Sequence, residues 1–246
     1  MTLIKYIALA ASLFCVTADA QRARFSIDRY KQEKGQDALM CKWSFNQGAA
    51  LDLSTHTFPL TENGSITYSG RSAILDAAGD YFTFEEYGGT VTFFQTPYYI
   101  YGDAFTVSGW CTWTDNTKHT GLFEFYRAGN IDFGIFNYYT TGTSAHAHPV
   151  YRARDSSATV YDTLQHHAAT WDGGDLKLYI NGELVATTTS ASTPYFLSSA
   201  YAPTIQSDIG KVHSYSGYVN LTGHLLYYSR GLSATEVMKQ YQKGPQ

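Results

Sequence analysis

The chain has 246 residues, with 17 Lys and Arg against 21 Asp and Glu for a formal net charge of -4, and 44% of its residues are hydrophobic. So small a charge, with Lys and Arg scattered along the chain, excludes the basic surface that grips a phosphate backbone, and nucleic acid is not expected as a partner. Its 21 Tyr and 14 Phe beside only 15% charged residues favour strands and can fill a sizeable core, so an all-β fold is expected.

The first 20 residues have the order of a cleaved secretory signal: Met1 to Lys5 carries the charge, Tyr6 to Val16 is apolar, and Ala18-Asp19-Ala20 supplies the small residues. Cleavage is expected before Gln21. The apolar run is shorter than the roughly 20 residues that cross a bilayer, and no later stretch reaches that length. The mature chain is therefore expected to be secreted and without a membrane span. Cleavage removes Cys15 and leaves Cys41 and Cys111, an even pair in an oxidising compartment. A Cys41 to Cys111 disulfide is expected, closing a loop of about 70 residues and worth about 4 kcal/mol; two separately buried thiols are the alternative. Asn63-Gly64-Ser65 and Asn220-Leu221-Thr222 are sequons compatible with that route.

Residues 21–39 are expected as an N-terminal tail, or as a helix lying over the domain, charge-rich at Arg22, Arg24, Asp28, Arg29, Lys31, Glu33 and Lys34 and lacking strand-like alternation. From residue 40 to residue 244 one domain is expected. Short runs recur between turn signals, among them Tyr81 to Phe84, Phe105 to Trp113, Gly121 to Tyr126, Ile131 to Phe136, His166 to Trp171 and Leu176 to Ile180. In the second of these, Phe105, Val107, Gly109, Cys111 and Trp113 share one face, which should be core. Asn181-Gly182 between two apolar runs predicts a tight hairpin, because both turn positions favour positive φ. Ser233, with Glu236 three residues on and then Val237, Met238 and Tyr241, predicts a capped helical turn near the end.

The ordered set Trp43-Ser-Phe45, Gly79-Asp-Tyr81, Phe105 to Trp110, His167 to Trp171, Leu178 to Glu183, Ile209-Gly210 and Leu226 to Val237 resembles the concanavalin A-like lectin/glucanase superfamily, in particular its laminin G-like and pentraxin-like branches. The resemblance spans Met40 to Tyr241. It implies a two-sheet antiparallel jelly-roll β-sandwich with a short C-terminal helical turn. Such a fold hosts lectins, adhesion modules, hydrolases and lyases, so the site must decide the function.

A glycan hydrolase needs two carboxylates about 5 to 9.5 Å apart. The Glu-x-Asp-x-Glu strand of laminarinase-like members is absent, as are the Arg-rich strand and Gln-Ile-His triplet of the lyases, and no Gly-x-Ser-x-Gly elbow marks a nucleophile. No catalytic residue is therefore expected. His146-Ala-His148 has the spacing of two metal ligands on one face of a strand, with His166-His167 as a source of a third; a histidine-bearing surface loop is the plainer reading. The laminin G resemblance implies calcium as cofactor, held by Asp132 with a second acid such as Asp208; a solvated turn aspartate is the plainer reading of Asp132. Asp80 and Asp172 are expected to form turns.

Three Tyr-rich segments exceed what a core needs: Pro97 to Tyr101, Phe136 to Tyr139 and His213 to Tyr218. Tyr98, Tyr138, Tyr139 and Tyr215 are the expected ligand-binding residues, because sugar rings are recognised by flat aromatic faces with a few polar groups. Trp43, Trp110, Trp113 and Trp171 are expected in the core. The leading expectation is a secreted, non-catalytic module that binds glycans or extracellular glycoproteins. The alternatives are a polysaccharide hydrolase or lyase on the same fold and a self-associating, oligomeric structural protein.

Overall fold

The computed structural model describes residues 39–46, 48–54, 60–84, 104–127, 130–138, 142–147, 151–155, 157, 159–189, 205–212 and 215–246. The expected signal segment, the tail up to residue 38, Tyr98, Tyr139 and His148 lie outside them. The first strands are β1 (Leu39–Ser44), β2 (Leu51–Asp52), β3 (Leu60–Asn63), β4 (Thr67–Ser69), β5 (Ser72–Leu75), β6 (Tyr81–Phe84), β7 (Phe105–Trp113), β8 (Thr120–Arg127) and β9 (Asn130–Tyr138). They continue as β10 (Gly142–Ala147), β11 (Tyr151–Arg154), β12 (Gln165–Trp171), β13 (Asp175–Ile180), β14 (Glu183–Thr189), β15 (Ile205–Ile209), β16 (Lys211–Val212), β17 (Tyr215–Ser216) and β18 (Val219–Tyr228). Helix α1 (Ala234–Gln242) follows.

The strands form two main antiparallel sheets. One runs β14-β13-β12-β7-β18-β1-β2 with β5 also on β18 and β4 on β5; the other runs β11-β10-β9-β8-β15-β6-β3. Strand β18 is long enough to hold two partners end to end on one edge, β5 along Val219 to Thr222 and β1 along His224 to Tyr228. The break between them is the β18 irregularity between Thr222 and Leu225, where Gly223 takes φ 69°.

Alternation decides which side chains enter the core. Phe105, Val107, Cys111 and Trp113 are fully buried as their spacing predicts, and Gly109 leaves the space that Leu225 fills from β18. Across the sandwich, Trp43 meets Phe123 at 6.2 Å, Phe105 meets Phe133 edge-on at 4.5 Å and Tyr227 stacks on Phe123 at 6.3 Å. Trp43, Trp113 and Trp171 belong to this core. Trp110 does not: as an even residue of β7 it faces outward, half-buried, and stacks on Tyr241 of α1 at 5.5 Å.

The expected Cys41 to Cys111 bridge is not formed; both are free, buried thiols. Cys41 is paired with Tyr227 and Cys111 with Leu221, on opposite edges of β18. Strands two apart in a sheet are separated by about 10 Å, beyond the roughly 7 Å that a disulfide can span. The sandwich holds both thiols as small apolar groups instead.

The turn expectations hold. Asn181 and Gly182 take φ 52° and 81° between β13 and β14, and the hairpin tip packs against Met238 of α1. Buried Asp80 accepts the Ser65 amide at 2.8 Å and the Ala77 amide at 2.9 Å, pinning two turns together. Asp172 accepts the amides of Gly174 and Asp175 and pairs with Lys177. Ser233 caps α1 in a complete capping box with Glu236.

Candidate functional site

The outer face of the seven-stranded sheet is assembled by register. Arg152 on β11 is opposite His146, His146 is opposite Gly134, Gly134 is opposite Glu124, Glu124 is opposite Asp208, and Asp208 is opposite Thr83. Directly opposed residues of antiparallel strands share a face. Four adjacent strands, β11, β10, β9 and β8, thus contribute one row, with Glu124 at one end and the basic groups at β10 and β11; Asp208 holds the next register position, on β15. Gly134 is required where it stands, because the Phe136 ring lies over it and a Cβ there would fall 2.1 Å from that ring.

Phe136 organises the basic end. Its ring meets His146 at 6.3 Å and Tyr138 at 6.0 Å, both edge-on. Tyr138 is half-buried, with the His119 ring edge-on at 5.0 Å and the guanidinium carbon of exposed Arg152 over its ring at 5.0 Å. Burial pushes the His119 imidazole down from its usual value, so it is neutral at neutral pH and can donate and accept. A tyrosine ring, two imidazoles and a forked guanidinium on one face are the chemistry of ring stacking with anion and hydroxyl recognition.

The acidic end holds Glu124, which is fully buried. Asp132 lies in β9 at the register irregularity between Phe125 and Tyr126 of β8, and Asp208 lies in β15 on the other side of β8. The fold therefore brings the two expected calcium residues to the strands that flank Glu124, while their side chains lie outside the described residues. Three carboxylates on neighbouring strands would supply part of the six to eight oxygens that calcium takes. Among the described residues no group of three His, Cys, Asp or Glu is placed to hold a metal.

The sequence reading missed Glu124, which sits in the aromatic run Leu122-Phe-Glu-Phe-Tyr126. A lone acid alternating with core aromatics was the local signal. Its pairing with Asp208, 84 positions away, depends on strand order and has no local signature.

The outer face of the nine-stranded sheet carries a different arrangement. A cavity of about 240 Å³ opens there beside α1, lined by Lys42, Ser108, Trp110, His166, His224 and Gln240 among others. Ser108 Oγ lies 2.9 Å from His166 Nε2 and donates to Gln240 Oε1 at 2.6 Å, and Gln240 Nε2 donates to the Tyr228 hydroxyl at 2.8 Å. His166 is held down at about 4 by burial.

The fold separates the expected histidine ligands. His146 is on the outer face of one sheet and His166 on the outer face of the other, while His167 points into the core against Trp113 at 5.3 Å. No shared metal site can form from them. Tyr215 lies in β17, with its side chain outside the described residues. Of the expected sugar-binding tyrosines, Tyr138 is the one whose surroundings are described. Asn63 is at the end of β3 and Asn220 is half-buried on the outer face of β18.

No curated protein is detectably similar to this chain. Among solved structures, similarity extends to the binding domain of botulinum neurotoxin DC in complex with rat synaptotagmin II, at TM-score 0.64 and 12% identity over 84% of this chain and 52% of that one. A botulinum neurotoxin type C structure, described by cell entry dependent on two ganglioside molecules, matches at TM-score 0.60 and 15% identity over 84% and 51%. Trypanosoma rangeli sialidase matches at TM-score 0.63 and 14% identity over 84% and 33%. The chain thus spans about half of the toxin chains and a third of the sialidase, and at these identities the likeness is one of fold. A family profile, Laminin_G_3, matches residues 87–238. With the antiparallel sandwich around it, that match places the chain in the Concanavalin A-like lectin/glucanases superfamily, to which it belongs.

Proposed function

We propose that the protein is a secreted, non-catalytic module that binds glycans, free or on glycoproteins, on the outer face of the seven-stranded sheet. The observation that carries this reading is the Tyr138 cluster, where an aromatic ring, two imidazoles and the exposed Arg152 guanidinium converge on one surface. Gangliosides named for a toxin of similar fold support the same reading at the level of ligand class. Calcium, held by Asp132 and Asp208 with Glu124 as a third acid, is the proposed cofactor. A glycan array of the chain from Gln21 onward, with calcium and with chelator, tests the proposal. Binding is expected to fall at least about tenfold in Arg152→Ala, the loss of one charge-assisted contact. Retained binding in that variant, or no glycan bound at all, removes the site. A calcium-induced rise in unfolding midpoint that vanishes in Asp132→Ala supports the metal; no shift at millimolar calcium removes it.

One observation favours a second reading. Glu124 and Asp208 are register partners, so two acidic positions stand side by side on adjacent strands, and a glycosidase works with a pair of neighbouring carboxylates. Release of new reducing ends from a polysaccharide panel, abolished by Glu124→Gln, would establish a hydrolase in place of a binding module. The full burial of Glu124 argues for the binding module.

A further inference from the structure

The cavity on the nine-stranded sheet is lined by more basic than acidic groups. Its lining contains Lys42 and Lys243, the neutral imidazoles of His166 and His224, the last residue of the chain, Gln246, and no Asp or Glu side chain. Lys42 is opposite Leu226 and His224 is opposite Ser44 in the β1 and β18 pairing, which sets Lys42 and His224 close together on the outer face. Arg71 reaches the same corner from the turn between β4 and β5, donating to the Pro245 carbonyl at 3.1 Å. Among the described residues, Lys42, Arg71 and Lys243 form no ion pair with a carboxylate. His224 registers the crowding of cations: burial, and then the charges of Lys42 and Arg71, press its imidazole down to about 4. Trp110 forms part of the wall, held in place by Tyr241 and His166 at 5.5 and 5.4 Å.

We propose that this cavity binds a ligand of one sugar-like ring bearing a single carboxylate or sulfate, at a site separate from the Tyr138 face. Unpaired cations around a concave wall are repelled by one another and gain from any anion that enters. The volume of about 240 Å³ is below the roughly 300–1,000 Å³ of drug-sized pockets, which limits the ligand to about one ring. Trp110 gives an apolar surface for the body of that ring, and Lys42 and Lys243 take its charged group.

The experiment is NMR titration of the His224 ring and the Trp110 indole with D-glucuronate, D-glucose 6-sulfate, D-glucose and inorganic sulfate. Either anionic sugar is expected to raise the His224 titration midpoint and shift the Trp110 signal, because a bound anion favours the imidazolium. D-glucose and inorganic sulfate at equal concentration are expected to act at least about tenfold more weakly, lacking respectively the charge-assisted contact and the ring. Lys42→Gln and Lys243→Gln, both outside the core, should each weaken the sugar effect about tenfold with no change in unfolding midpoint. Arg152→Ala should leave it intact. The proposal is overturned by equal responses to D-glucose or sulfate, by no response to either anionic sugar, by indifference to both lysine variants, or by loss in Arg152→Ala.

Discussion

Ser108 Oγ lies 2.9 Å from His166 Nε2, yet the serine proton goes to Gln240 Oε1 at 2.6 Å. A hydroxyl has one proton to give, so His166 acts there as donor and Ser108 is not poised as a nucleophile. The chain of contacts runs on from Gln240 to Tyr228. It ties α1 to β12, β7 and β18.

Ser108→Ala is therefore expected to act on stability. It leaves the Gln240 carbonyl and a ring nitrogen of His166 without their buried partner, at a cost of about 1–3 kcal/mol. Urea unfolding at neutral pH measures it. A change below about 0.5 kcal/mol, the usual range of inert surface positions, would mean that the network does not hold the helix.

Acid should weaken the fold in a defined window. Burial holds His166 at about 4 and His167 at about 3, the latter also through its charged neighbour. Both titrate near 6.5 once unfolded, so below that pH the unfolded chain binds more protons. Stability is then complete above pH 6.5 and falls as pH drops toward about 4 and then about 3, by several kcal/mol in total. Neither nitrogen of His167 has a hydrogen-bond partner. His167→Leu should raise stability at pH 7 by about 1 kcal/mol, since an apolar group of similar size leaves nothing unsatisfied, and should flatten the slope between pH 6.5 and 4. An unchanged slope would place the acid sensitivity elsewhere.

How far the sequence could be read follows from which signals are local. Period-two alternation in β7 named its core face, Asn181-Gly182 named its hairpin, and Ser233 with Glu236 named its cap, because each depends on residues a few positions apart. Trp110 shows two local signals in conflict: its hydrophobic size argues for the core, and its even position in the strand turns it outward onto Tyr241. The Glu124 and Asp208 pairing, and the barrier that β18 sets between Cys41 and Cys111, depend on strand order across the whole chain. For the same reason His146 and His166 looked combinable in sequence and are on opposite outsides of the sandwich. Tyr138 was legible as a surplus aromatic, whereas His119 and Arg152 reach it from a loop and an edge strand with no motif between them.

The cap offers a direct energetic test. Ser233 accepts the Glu236 amide, Glu236 returns to the Ser233 amide at 2.8 Å, and Arg230 adds a contact to Glu236 at 2.6 Å. Ser233→Ala should cost about 1 kcal/mol and Ser233→Asp should restore most of it. Loss in both would show that the hydroxyl serves something other than the cap.

The two cysteines decide whether the sandwich tolerates a covalent tie. Burial pushes both thiols well above their usual range, with Asp52 adding to the effect at Cys41, and only the thiolate reacts. In the chain from Gln21 onward, an aromatic disulfide reagent should therefore detect neither thiol in the folded protein and both after denaturation. A reductant should leave the unfolding midpoint where it was. Two missing thiols in the denatured, unreduced chain would mean that Cys41 and Cys111 are bonded after all, which β18 permits only by leaving its place between β1 and β7. The same rearrangement would dismantle the wall that Lys42 and His224 build, so the thiol count also bears on the cavity.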